Sequence, residues 1–420
     1  MRKFALLLCL FASLRAFSAD DDSTRHAKLD KLWKVLQHVK AGGYGAINYY
    51  VFNWETDTAR RDAIDLERFV FELKIKFTDK LKLNSEIEFE HGGTGAAVEF
   101  DRFEEFGEFE YEIEKGGEIL IEQLNLEYNH RHWLNIRAGR VKVPVGLYYA
   151  YDEPTEYFTP TIAEMEANLI PTAWTDFGVM FSGSFDKENR FQYVLGAVNG
   201  LDNSAFSSAT WIRRGNQKRF ETVNAEDWAG TARFDYSWKE ENAVGVSGYF
   251  GNSTNNRPKP DLKVPGYVGI VDAHAAVDYG FIKGKAAVLW GNVSNADAIS
   301  AANRNLSNNL NVKRTPVGSQ ALGAYAELGT DILEITRSFS DMKFKGGLTV
   351  YGRFDYYDSM FRTTGDVFNN PRWERKAWGV GLNFQPVKQV VLKSYFSSRK
   401  VGIPDNNMEN TFIMGLGFAF

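Results

Sequence analysis

The chain of 420 residues has a single cysteine, Cys9, inside the apolar run from Phe4 to Leu14. Leu6, Leu7 and Leu8 precede it, where a lipid-modification site wants a small residue. Beyond that run there is no thiol, so disulfides and thiolate metal ligands are excluded. No later stretch approaches eighteen uninterrupted apolar residues, which rules out helical membrane spans. Charge of one sign is scarce as well: 49 basic residues face 54 acidic ones, spread along the chain, for a net −5, and nothing points to nucleic acid. The six histidines form no metal-ligand motif. Asp272, His274 and Asp278 share one face of a predicted strand, but no nucleophile motif accompanies them. The expectation is a protein that is not an enzyme and needs no metal or cofactor.

Two segments at the start stand apart. Arg2 and Lys3, the apolar run, and Ser18 and Ala19 followed by acid read as a secretory signal peptide over residues 1–19. In residues 20–42, Leu29, Leu32, Leu36 and Val39 recur at spacings of three, four and three, a helical pattern close to a heptad seam. Two heptads are marginal alone. The pattern fits a short periplasmic helix or coiled coil, a plug helix in a barrel mouth, or a loosely ordered leader.

What the rest contains is alternation. In "RFVFELKIKF", Phe69, Phe71, Leu73, Ile75 and Phe77 alternate with Glu72, Lys74 and Lys76; after Thr78, Asp79 and Lys80 the run Leu81, Leu83, Ile87 and Phe89 alternates with Lys82, Asn84, Glu86 and Glu88. This is a hairpin with one apolar and one charged face. Six further hairpins follow at 118–142, 175–199, 226–251, 266–292, 319–356 and 374–398, separated by longer polar stretches. A first strand near 43–52 and a closing one bring the total to about sixteen, with all short turns at one end and all long loops at the other. Phe412, Met414, Leu416, Phe418 and Phe420 make the outer face of that closing strand. The fold class expected over 43–420 is all-β, a transmembrane antiparallel barrel bathed in outer-membrane lipid. The stretch from Val98 to Ile113 has room for one more hairpin.

The alternation assigns faces. Ala232, Phe234, Tyr236 and Trp238 are expected toward lipid and Thr231, Arg233, Asp235 and Ser237 toward the lumen; Phe344, Leu348, Val350 and Phe354 toward lipid, and Lys345, Thr349, Arg353 and Asp355 inside. So many inward charges imply a wet interior, since a dry one needs each charge paired. Tyr49, Tyr50, Trp133, Trp174, Trp290, Tyr356 and Tyr357 suit interfacial girdles.

A barrel this size leaves a channel unless something narrows it. The third long loop, 143–174, is the candidate constriction. It carries Asp152, Glu153, Glu156, Glu164 and Glu166, with no basic residue and four prolines, while Arg137, Arg140 and Lys142 precede it on the adjoining strand. Folded inward, its carboxylates would face wall cations across an eyelet and set a transverse field.

At "LNLEYNHRHWLNIRAGRVKVPVGLYY", Leu124 to Tyr149, the chain resembles the phosphate-selective porin-like family of Gram-negative outer membranes. The resemblance rests on Gln123, Asn125 and Glu127 on one strand, a short turn, and the next strand with Gly139, Arg140, Pro144 and Gly146. It implies a sixteen-stranded porin, a homotrimer, passing small hydrophilic solutes or ions. The solute stays open, because the loop is acidic. The alternative is an occluded barrel whose long loops bind surfaces.

Overall fold

The computed structural model describes residues 37–93, 96–101, 110–115, 117–217, 222–239, 241–306 and 314–420. The signal segment 1–19 and residues 20–36 of the expected helix lie outside them. In chain order the strands are β1 (Val39–Trp54), β2 (Ala63–Lys76), β3 (Leu81–Glu90), β4 (Ala96–Asp101), β5 (Glu110–Lys115), β6 (Glu118–Arg131), β7 (Leu134–Lys142), β8 (Thr175–Ser184) and β9 (Phe191–Asn199). They continue as β10 (Trp228–Lys239), β11 (Asn242–Asn252), β12 (Tyr267–Asp278), β13 (Ile282–Val293), β14 (Gln320–Asp331), β15 (Gly347–Arg362), β16 (Glu374–Val387), β17 (Val390–Val401) and β18 (Met408–Ala419). Short helices α1 (Glu164–Leu169), α2 (Ala296–Arg304) and α3 (Ile332–Arg337) lie in connections.

Sixteen strands close an antiparallel barrel, each bonded to its sequence neighbours except that β3 pairs with β6 and β18 returns to β1. β4 and β5 pair only with each other; they are the extra hairpin, and they stand outside the wall. Closure is completed by Gly43 N–H on the Phe420 carbonyl at 3.1 Å and Phe420 N–H on the Gly43 carbonyl at 2.8 Å. These bonds extend the ladder of β18 on β1 through Phe420, and no edge of the barrel is left open. Among the described residues no helix is long and apolar enough to cross a membrane.

Two expectations shift. Val39 to Gly42, counted with the N-terminal helix, pair with Ile75 to Glu72, because a ready ladder outweighs a marginal helix. The first strand of the hairpin expected over 319–356 ends at Asp331, whose carboxylate caps α3 by accepting from Leu333 N–H at 2.9 Å and Glu334 N–H at 3.1 Å.

The faces follow the alternation. Phe234, Trp238, Val350 and Phe354 are exposed on the outside, whereas Thr231, Arg233, Thr349, Arg353 and Asp355 are buried inside. On β18, Phe412, Met414 and Leu416 are exposed, as is Phe420 just beyond it, and Ile413 is buried. With Phe71, Ile121, Leu126, Phe181, Val246, Val288, Leu328, Val380 and Leu392 they form a continuous apolar belt, larger than water tolerates on a lone soluble protein. Trp133 and Trp290 are exposed on that outer surface. Trp174 and Tyr357, expected in the girdle, are buried in the lumen's apolar core, and Tyr50 packs on an inner cluster of Tyr351, Tyr395 and Ile413. An inward aromatic and a girdle aromatic look alike in sequence; strand parity separates them only once the ends are known.

Candidate functional site: a loop laid across the barrel

Residues 143–174 leave β7 at the long-loop end, descend into the lumen and return to β8. Glycines on the inner face make room. A Cβ at Gly417 would stand 2.7 Å from Pro154, one at Gly415 3.1 Å from Pro160, and one at Gly329 3.0 Å from Phe158. Gly415 and Gly417 are the small residues that alternate with the apolar ones at the chain's end, and this is their use.

The wall holds the loop chiefly by its backbone. Lys393 on β17 donates to the Tyr157 and Thr159 carbonyls at 2.7 and 2.8 Å, with its ammonium 3.9 Å from the Tyr157 ring centroid. Arg353 on β15 donates to Thr159 Oγ1 at 2.7 Å and the Thr161 carbonyl at 3.2 Å. Asn383 on β16 reaches the Phe158 carbonyl at 3.0 Å. Lys285 on β13 donates to the Glu156 carbonyl. On the opposite side Arg233 on β10 donates to the Gly146 carbonyl at 2.7 Å. Charged donors on buried carbonyls make strong bonds, and none depends on the loop's side-chain identity beyond Thr159.

The loop carboxylates do not face cations across an open gap. Asp152 is in direct contact with Lys142, whose Nζ also stands 3.5 Å from Glu86. Glu164 pairs with Arg399 at 3.1 Å, and Arg399 also grips Glu409. Although burial opposes its charge, the guanidiniums of Arg399, Arg353 and Arg375 hold the Glu164 carboxyl below the ordinary carboxylate value. Glu166 is buried and accepts Leu147 N–H at 3.1 Å and Tyr148 N–H at 2.9 Å, stapling the loop to itself. Glu153 accepts nothing from the wall; its N–H reaches Glu156 Oε2 at 3.3 Å. Burial, then the neighbouring Glu153, pushes Glu156 up to about 7.

Of the basic residues on β7, Arg137 faces inward and pairs with Glu127 at 3.3 Å, and Lys142 reaches Asp152. Arg140 does not reach the lumen. It stands opposite Leu124 and Phe177, both exposed on the lipid side, with its guanidinium 5.7 Å from the Phe177 centroid. Directly opposite residues share a face, so the sequence expectation for Arg140 is corrected.

The alternation names Glu88, Arg353 and Asp355 as inward or alternating residues without partners, and Arg68 and Glu122 not at all; the structure joins them in deeper pairs, Arg68 with Glu88 at 2.5 Å and Glu122 at 3.8 Å, and Arg353 with Asp355 at 2.7 Å. All five are at most 6% exposed. At this level the inward charges are nearly inaccessible and paired, so their number alone does not demand an open pore. A signal was available: Glu122 and Gln123 sit at a bulge opposite Glu86 and Ile87, which turns both inward and crowds acid around Arg68.

Among the described residues the lumen keeps two large cavities. One of about 470 Å³ opens at the long-loop end and is lined by Glu67, Arg68, Glu88, Tyr148, Glu164 and Arg213 among others. The other, about 530 Å³, opens at the short-turn end past Arg137, Tyr149, Tyr151, Arg233, Asp235 and His274. Leu147, Tyr148 and Tyr149 stand between them. His274 is not placed as a base. Its two ring nitrogens contact Asp272 at 2.6 Å and Asp235 at 2.9 Å, and Ser247 donates to Asp272, not to it. Asp278 lies apart, paired with Lys283 at 2.7 Å.

No family model matches the chain. A protein of Aquifex aeolicus (strain VF5), described only as uncharacterized, is 27% identical over 371 residues, 87% of this chain and 76% of its own length. Among solved structures, the outer membrane channel DcaP of Acinetobacter baumannii superposes with a TM-score of 0.52 at 12% identity, covering 91% of this chain and 97% of that one. An anion-selective porin from Comamonas acidovorans does so with a TM-score of 0.50 at 10% identity, covering 91% and 99%. The fold is a porin's. At such identities the likeness speaks for the porin architecture, and selectivity must come from this chain's own residues.

Proposed function

We propose that this protein is a porin-type channel of a Gram-negative outer membrane, delivered there by the signal segment 1–19, through which small hydrophilic solutes or ions pass by diffusion. The observation that carries the reading is a closed barrel with a complete apolar belt whose lumen holds a cavity toward each mouth, of about 530 and 470 Å³. Loop 143–174 is the constriction. Asp152, Glu156 and Glu164 with Lys142, Lys285 and Arg399 are the charges a solute meets beside it, and a trimer, implied by the resemblance at Leu124 to Tyr149, is the assembly. Phosphate is a poor fit, since each of these cations already has an acceptor.

The test is planar-bilayer recording of the purified protein. Ohmic steps that scale with salt are expected, smaller than an unobstructed sixteen-stranded barrel would give. Membranes left silent by correctly folded protein would overturn the reading. They would favour the occluded, surface-binding barrel, for which the specific observation is the apolar core packed inside the lumen.

A further inference from the structure

Gly146, where the loop enters the lumen, is held on both sides of its residue. Its N–H donates to Ser247 Oγ at 3.2 Å and its carbonyl accepts from Arg233 at 2.7 Å. The two holders are joined behind it. Ser247 donates to Asp272 Oδ1 at 3.0 Å, His274 bridges Asp272 and Asp235, and Asp235 binds Arg233 Nε at 2.7 Å. The result is a closed circuit: Gly146, Ser247, Asp272, His274, Asp235, Arg233 and back to Gly146. Glu166 closes over it, so near that a Cβ on Gly146 would meet Glu166 Oε2 at 2.7 Å, and holds the next two backbone N–H groups.

Ionised carboxylates only accept hydrogen bonds. An imidazole with an ionised carboxylate at each nitrogen makes both hydrogen bonds only when it carries a proton on both, which is the form His274 takes between ionised Asp272 and Asp235. The groups facing it are Asp272 on its own strand, Asp235 and Arg233 on β10, Ser247 on β11, and Glu166, Tyr149 and Tyr151 on the loop. Lys285, two positions along β13 from its register partner Ala287, is turned instead to the Glu156 carbonyl and the Tyr151 ring.

We propose that this circuit is a proton-dependent latch on the loop root: protonated at His274 and Glu166 it holds the loop across the lumen, and deprotonated it lets the loop go. With both protons on, one guanidinium and one imidazolium balance Asp235 and Asp272. With both off, three buried carboxylates face a single guanidinium, and burying them unbalanced is costly. Burial, with the Asp272 carboxylate adding to it, raises Glu166 to about 7. Since that lies above the value of a carboxyl released into water, docking takes up a proton. The contribution is complete below the ordinary carboxylate range and is lost as pH rises through about 7. Loss of the imidazolium proton acts in the same direction.

The latch goes beyond the channel reading and is tested without current. In a Cys9→Ser background, spin labels are placed at the exposed Ala150 of the loop and Ser340 of a short turn, and their separation is measured by pulsed dipolar spectroscopy. One narrow distance is expected at pH 6, with a second, broad population at pH 9 enlarged about tenfold. Glu166→Gln is expected to cut that pH response, and His274→Gln to show the broad population already at pH 6. The labelled protein alone suffices should either variant fail to fold: an unchanged narrow distance from pH 6 to 9 overturns the latch, while leaving the channel reading to the bilayer experiment.

Discussion

The two sides of the lumen are built by different physics. Along β9 to β14, Val198, Tyr249, Val268, Ile270 and Leu289 line the outer half of the wall with apolar side chains, and Leu201, Phe206, Trp211, Ile212 and Ile299 from the connecting loops pack on them. Trp211 fills the space above Gly291 and donates its indole N–H to the Gly318 carbonyl at 3.1 Å. Along β1 to β3 and β15 to β18 the wall instead carries Arg68, Glu88, Arg353, Asp355, Lys393 and Arg399. The apolar side is close-packed and closed. The charged side keeps the outer cavity, because ion pairs and carbonyl contacts hold a loop without filling space.

Breaking the charged side should cost most. Arg353→Met strands Asp355, which is 1% exposed, and releases Thr159 and Thr161. A buried charge without its partner costs about 3–5 kcal/mol, so a matching drop in urea stability in micelles is expected together with larger single-channel steps. Adding Asp355→Leu should recover most of the stability and none of the channel narrowing. On the apolar side Trp211→Ala should cost about 3 kcal/mol through cavity formation with conductance unchanged, since the cavity at the long-loop end lies elsewhere. Equal conductance effects from the two substitutions would erase the distinction drawn between the sides. Gly146→Ala is a smaller break: at φ +84 a side chain costs about 1–2 kcal/mol, and crowding of Glu166 should loosen the loop root, read as a lower melting temperature. The pair of Lys74 and Glu72 at 2.9 Å is a control outside the lumen's buried level, with Lys74 about half exposed. Lys74→Ala should change stability by no more than about 0.5 kcal/mol.

Much of the wall was legible because a strand half in lipid has only one way to place charge. Arg233 against Phe234 and Arg353 against Phe354 set parity, and parity with turn length set strand count and sidedness. The sequence offered loop 143–174 as a candidate constriction, acidic and proline-stiffened beside basic wall residues, but left its inward course conditional; Lys142 and Asp152 do meet, while Arg399, the partner of Glu164, was not among the cations it named. What parity does not reveal is depth and partner. Arg140 obeys the alternation of β7 and so points outward with Ile136. Glu166 turned from a lining residue into an internal staple because Gly146 bends the chain beneath it. The cations that hold the loop were visible as inward charges, but they bind main-chain carbonyls, and a carbonyl has no letter in the sequence. The inner-face glycines are the clue that was there to be read: Pro160, with Asn48, stands over Gly415, and Pro154, with Val391, over Gly417.

That juxtaposition offers the most direct test of a loop spanning the lumen. With Cys9→Ser in place, Pro160→Cys and Gly415→Cys bring two thiols together: the added Cβ at 415 stands 3.1 Å from that of residue 160, a few tenths of an ångström inside the roughly 3.5–4.5 Å of a disulfide, a gap a small shift of the loop opens. Near-complete intramolecular cross-linking under mild oxidation, leaving single-channel steps no larger than before, is the expected result. Two freely alkylated thiols with no cross-link in folded protein would place the loop outside the barrel and contradict the account.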